Sequence, residues 1–120
     1  MPSNKAIAIS QQELERFAEA FAAIGNPVRM LILRSVLEAH PEGLISSEIQ
    51  EIVATPASTL SHHLEAMRAA GVLSMKREGR TRRYCAEADA LGAMLGFLFD
   101  ECCTRSGAVD AGCCLPRRSC

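Results

Sequence analysis

A chain of 120 residues has the length of one domain, and at that size a hydrophobic core is sustainable without disulfide staples. With 48% hydrophobic and 22% charged residues, the composition is globular and excludes a disordered chain. No run reaches the roughly 18 apolar residues of a membrane span, and the opening MPSNKAIAIS lacks the regions of a signal peptide, so a soluble cytoplasmic protein with no membrane partner is expected. The formal net charge of −1 gives no global field for nucleic acid, so any such surface has to be local.

Residues 1–9 read as an N-terminal arm. Ser10-Gln11-Gln12-Glu13 reads as a capping box opening a first helix. Leu14, Phe17, Ala18, Phe21 and Ile24 recur there at helical spacing up to Gly25, expected as a left-handed cap. Asn26-Pro27 starts a second helix that carries Leu31, Ile32, Leu33, Val36 and Leu37 and ends before His40-Pro41. A short third helix opens at Ser46 or Ser47 with Ile49, Ile52 and Val53 on one side. Thr55 is expected to cap a fourth, with Pro56 behind it, running through Leu60, Leu64 and Met67 to Gly71. So brief a join suits a crossed helix-turn-helix.

Two extended segments, 72–77 and 80–85, then flank Glu78-Gly79 as a hairpin. Glu87 to about Cys103 reads as a last helix, apolar nearly all round through Leu91, Met94, Leu95, Phe97, Leu98 and Phe99. Such a helix needs cover on two sides, which points to a second subunit. Residues 104–120 read as a flexible, cysteine-containing tail. The fold class is therefore mainly α with a β-hairpin wing, a winged helix-turn-helix of about five helices, with residues 10–103 forming one domain that dimerises through its first and last helices. Met67, Met75 and Met94 are expected in the core.

Charge is unevenly distributed. Between Thr55 and Tyr84 six basic residues (Arg68, Lys76, Arg77, Arg80, Arg82, Arg83) face two acids (Glu65, Glu78), a balance of +4 that leaves −5 elsewhere. Phosphate contacts need such a local concentration of cations. The start of the fourth helix offers Ser58, Thr59, Ser61 and His62, whose small or polar side chains let a helix approach base edges in a major groove. His63, beside Leu64, reads as partly packed or phosphate-directed, and adjacent histidines on a helix diverge by about 100°, a poor chelate.

The segments RFAEAFAAIGNPVRMLILRSVL, ISSEIQEIVATPASTLSHHLEAMRAAGVL and KREGRTRRY resemble the ArsR/SmtB family of homodimeric winged-helix repressors, over about residues 14–103. The resemblance implies double-stranded operator DNA with an inverted repeat as partner, dimerisation through the first and last helices, and release of DNA on binding a metal ion or metalloid. By position it implies DNA reading at Ser58, Thr59, Ser61 and His62, with Arg80 and Arg82 on the wing; Lys76 and Arg77 join them as basic residues of the same hairpin. Two familiar inducer sites of the family are not matched. The third-helix stretch LISSEI has no thiol, and the last helix holds Asp89 but no histidine.

The chain has instead Cys102-Cys103 and then Cys113-Cys114 and Cys120, so that five of its six cysteines fall in the last 19 residues. This looks like the arsenic-responsive branch with a C-terminal cysteine site. Thiolates select soft ions, so trivalent arsenic or antimony is the expected inducer, held by Cys102, Cys103 and a tail cysteine, Cys113 before Cys114. A methylated trivalent arsenical, cadmium, zinc, copper(I) or thiol oxidation are the alternatives. Cys85 reads as a buried structural thiol and Cys120 as unconstrained or secondary. A thiol redox enzyme is the remote alternative, and the chain has neither Cys-x-x-Cys nor a phosphate-cradling loop, so no enzyme is expected.

Overall fold

The computed structural model describes residues 9–101, which divide into two units, one ending at Glu87 and one beginning at Ala88. The first unit is built from α1 (Gln11–Ile24), α2 (Pro27–Glu38), β1 (Leu44–Ile45), α3 (Ser46–Val53), α4 (Ala57–Ala69), β2 (Leu73–Glu78) and β3 (Thr81–Ala86), and the second from α5 (Ala88–Phe99). The winged helix-turn-helix read from the sequence is the fold observed.

Local chemistry sets the helix ends. Ser10 Oγ accepts from the Glu13 amide at 3.0 Å while the Glu13 carboxylate accepts from the Ser10 amide at 3.2 Å, the reciprocal capping box. Asn26 Oδ1 accepts from the amides of Val28 and Arg29, and Pro27 fills the first helical position where no N–H is needed. Gly25 is not the left-handed cap expected. Its φ is −85°, and the extended Asn26 cap of α2 follows at once. Thr55 does not cap α4 either. Pro56 occupies that position without a side-chain acceptor, and Thr55 Oγ1 turns back to donate to the Val53 carbonyl at 3.3 Å.

The core of this unit is formed by Ile32 and Val36 of α2, Ile49 of α3, Leu64 and Met67 of α4, Val72, and Leu73 of β2, all nearly solvent-free. Ile52, expected beside Ile49, is exposed, and so are Leu14, Leu31 and Leu37. Val72 and Leu73 follow Gly71, whose φ of +86° turns the chain out of α4.

The sheet is antiparallel, ordered β1-β3-β2, so β3 is central. The two-residue strand β1, absent from the sequence reading, pairs Leu44 with Tyr84 and Ile45 with Arg83. Glu78 pairs with Thr81, which places the two-residue turn at Gly79-Arg80, one position later than expected. A positive φ (+65°) at Gly79 and not at Arg80 is the type II′ arrangement that matches strand twist. Only the base of the hairpin is covered: Leu73, Tyr84 and Ala86 are buried, whereas Met75, expected in the core, lies on the outer strand β2 and is 37% exposed.

The second unit carries the last helix read from sequence, described as far as Glu101. α5 runs from Ala88 to Phe99 and widens to a π-type turn at Asp100 and Glu101. Met94 is buried, while Leu95 is 67% and Leu98 40% exposed. The segment 104–120 and Cys102, Cys103, Cys113, Cys114 and Cys120 lie outside the described residues, as do residues 1–8 of the arm.

β1 is docked by Gly43, which has a φ of +77° and lies against β3. A Cβ there would collide with the Tyr84 carbonyl and stand 2.7 Å from Cys85 Sγ. Cys85 itself is half-buried rather than buried, and its thiol donates to the Glu42 carbonyl at 3.5 Å. Gly43→Ala is expected to destabilise the protein by more than the ~1–2 kcal/mol of a left-handed non-glycine residue, because the collision adds to it. Urea unfolding followed by circular dichroism measures this as a lowered midpoint at unchanged slope.

Candidate nucleic-acid interface

α3 and α4 are joined by Ala54, Thr55 and Pro56. Ala54 adopts the left-handed conformation (φ 53°, ψ 46°), and its amide bonds to the Gln50 carbonyl at 2.8 Å. Gln50 Nε2 also donates to the Thr55 carbonyl at 3.3 Å, so one residue of α3 holds two successive residues of the turn. α4 then buries Leu60, Leu64 and Met67 and leaves Ser58, Thr59, Ser61 and His62 exposed. At about 100° per residue, Ser58, His62 and Glu65 lie opposite the buried stripe, with Ser61 and Arg68 on one flank and Thr59 on the other. The proline cap leaves the first amides of α4 without a side-chain acceptor, and such amides favour an anion.

The hairpin adds the cations. Register pairs Arg77 directly with Arg82 and Lys76 with Arg83. Like charges opposite each other in a ladder are unfavourable, and only one of these four finds an acid: Arg83 Nε sits 3.0 Å from Glu78 Oε2. Arg68 is likewise paired, with Glu65 one turn before it on α4. Lys76, Arg77, Arg80 and Arg82 make no ion pair among the described residues. The four wing residues singled out from the sequence are thus the ones whose charge no carboxylate cancels, while Arg68 and Arg83 are neutralised locally.

The electrostatics also tie the wing to the helix. Hydrogen bonds from Arg68 hold the Glu65 carboxyl below the usual carboxylate range, the charge of Arg68 adds to this, and the charge of Arg82 on β3 reaches it as well. The outward face of α4 and the wing therefore border the same space. Crowded cations without counter-charges, beside a polar helix face and open helix amides, are suited to a polyanion with grooves.

His63 is not part of this surface. It is half-buried, and its Nδ1 accepts a hydrogen bond from Arg29 Nε of α2 at 2.9 Å. Burial, the Arg29 charge and then His62 push its pKa below the ordinary imidazole value. Arg29 went unrecognised in the sequence because its partner is 34 residues away. Among the described residues no three His, Cys, Asp or Glu side chains converge as a metal site.

A helix-turn-helix domain model matches residues 24–75. The chain is 33% identical over 73 residues to the uncharacterized HTH-type transcriptional regulator MJ1325 of Methanocaldococcus jannaschii, an alignment that covers 61% of this chain and 80% of that protein. It is 33% identical over 89 residues to the nodulation protein NolR of Rhizobium meliloti, covering 74% of this chain and 70% of NolR. Among solved structures, an ArsR-like transcriptional regulator from Rhodococcus sp. RHA1 superposes with a TM-score of 0.60 at 25% identity, over 71% of this chain and 77% of that one. The homodimeric winged helix-turn-helix DNA-binding domain Mb0332 from Mycobacterium bovis shares the fold, with a TM-score of 0.61 at 23% identity over 78% and 90% of the two chains.

If the unpaired wing cations meet phosphates, Arg82→Ala lowers the slope of log affinity against log salt on duplex DNA by about 0.9. Arg83→Ala, whose charge is already spent on Glu78, lowers it by less. Anisotropy titrations between 50 and 300 mM salt (~6–14 Å screening lengths) measure both slopes, and equal slopes for the two variants would contradict this assignment.

Proposed function

Because this chain belongs to the ArsR/SmtB family of winged-helix transcriptional regulators, we propose that it acts as a homodimeric repressor on inverted-repeat operator DNA and releases it when trivalent arsenic or antimony binds its C-terminal thiolates. The observation that carries the DNA-binding half is the exposed row Ser58, Thr59, Ser61 and His62 beside four cations that no carboxylate pairs. In this reading α4 lies in the major groove, with its hydroxyls and His62 at base edges and its first amides at phosphate. Lys76, Arg77, Arg80 and Arg82 hold the flanking backbone, which fixes register without reading sequence.

Dimerisation is supported by the apolar side chains that the single chain leaves exposed, Leu14 on α1 and Leu95 and Leu98 on α5. The homodimeric relative of the same fold agrees with it. A two-fold dimer presents two α4 helices to two half-sites, and the operator then mirrors the symmetry of the protein.

The inducer is proposed from donor chemistry. Cys102, Cys103 and either Cys113 or Cys114 form a thiolate set of the kind that holds a soft, thiophilic ion, and hard oxygen-seeking cations are poorly served by it. Adjacent cysteines on a regular helix diverge by about 100°, so sharing one ion requires the helix end to unwind. The π-type turn at Asp100 and Glu101 is a departure from regular helix next to this pair. Reordering there changes the dimer contact of α5 and carries the two α4 helices off the half-site spacing.

The reading is tested by following release of a fluorescent operator duplex against arsenite, antimonite, methylarsenite, cadmium, zinc and copper(I). Arsenite is expected to weaken binding by ~5–150-fold, the usual range of allosteric coupling, and Cys102→Ser and Cys103→Ser are expected to abolish the response. If both variants respond to arsenite as the unmodified chain does, the thiol assignment is wrong. If cadmium or copper(I) alone releases the duplex, the inducer is a different soft ion.

A further inference from the structure

Arg29 makes two bonds that join three helices. Its Nε donates to His63 Nδ1 of α4 at 2.9 Å and its Nη1 to the Ala23 carbonyl near the end of α1 at 3.4 Å, while its own backbone belongs to α2. Asn26 accepts from the Arg29 amide, so the α1–α2 junction positions the side chain that reaches α4. On α4, His63 adjoins His62 on the outward face and Leu64 in the core. We propose that Arg29 is a positioning residue for DNA binding, a latch that sets the orientation of α4 through His63 and opens when that imidazole takes up a proton. The proposal rests on the DNA-binding reading of α4.

The chemistry of the pair gives it two states. A guanidinium offers only donors, so the ring nitrogen facing it must carry a lone pair and the imidazole proton resides on Nε2. Protonation puts an N–H on Nδ1, where donor meets donor and cation meets cation, and Arg29 cannot give up its charge instead. The charged groups around His63 are Arg29 from α2 and His62 from α4 itself. Glu19 of α1 lines, with Arg29, an open cleft of about 350 Å³ walled by Ala22, Ala23, Ala66, Ala69 and Ala70, which gives water access to the latch. Burial and Arg29 both resist the proton, so the latch holds at neutral pH and yields only in acid.

The sign of the effect is diagnostic. Protonation of His63 breaks the latch and weakens binding, and replacing His62 removes the neighbouring imidazole from the profile. In a His62→Gln background, duplex affinity is expected to fall as pH is lowered from 7.5, toward a limit about tenfold below its neutral value. His63→Gln, whose side-chain carbonyl accepts from Arg29 without titrating, is expected to keep the pH 7.5 affinity within about twofold and to flatten the profile. Arg29→Met is expected to lose about tenfold already at pH 7.5, at unchanged circular dichroism.

The folded imidazole titrates below the unfolded one, so the unfolded state takes up protons first. Thermal stability is therefore expected to decline as pH falls below about 6.5, and this decline should be absent in His63→Gln. Nitrogen-15 NMR of the His63 ring in the free protein reads the bond without DNA. A protonated Nε2 and a titration below the ordinary value are expected, moving up toward it in Arg29→Met. An unperturbed ring titration, or a His63→Gln profile as steep as that of its parent, would overturn the latch. Failure of the chain to bind any duplex at any pH, with the ring titration as expected, would overturn the DNA reading and the positioning role together while leaving the bond itself in place.

Discussion

Burial of Leu60, Leu64 and Met67 in the same core as Val72 and Leu73 commits one side of α4 to packing and thereby decides what the other side is free to do. A helix with three large apolar side chains on one stripe can turn only its opposite face to solvent. On α4 that face is made of serine, threonine, histidine and one Glu–Arg pair. The turn out of α4 at Gly71 leads directly into β2, so the same core contact that seats the helix also seats the base of the wing. Helix face and wing are thus held relative to each other by apolar packing, which salt does not weaken as it weakens contacts between charges.

Electrostatics act at a finer grain than net charge. A chain with a formal charge of −1 keeps a cationic hairpin by placing its acids elsewhere, and within the hairpin it keeps only one acid, Glu78, already engaged by Arg83. Arg77 opposite Arg82 disfavours the isolated ladder, an unfavourable arrangement for folding that a bound polyanion relieves. Glu65 works in the other direction. It occupies Arg68 and feels Arg82, so the outward face of α4 is less cationic than its sequence suggests.

Features encoded by neighbours in the chain were legible before the fold was known. The Ser10–Glu13 box, the Asn26-Pro27 start, the helical stripes and the basic hairpin each need only a few residues to be seen, and the wing cations followed from composition alone. Features made by distant pairing were not. β1 is two residues long, has no period of its own and exists because β3 lies beside it. The Arg29–His63 bond spans 34 residues, and an arginine near a helix start reads as solvated unless its partner is known. Met75 was misplaced for a related reason: alternation tells which face of a strand a residue occupies, but not where the cover over that face ends.

Ala54 stands where a left-handed turn ordinarily takes glycine, and Gln50 bonds both its amide and the carbonyl of Thr55 after it. An alanine held there costs conformational energy when folded, yet it narrows the routes along which the turn can bend. The joint between α3 and α4 is therefore stiff, and the pair moves as one lever. A regulator built this way cannot retune its grip by opening the angle between its two helices. Any change has to move the whole lever, so it is expressed as a displacement of the pair rather than in the shape of either helix.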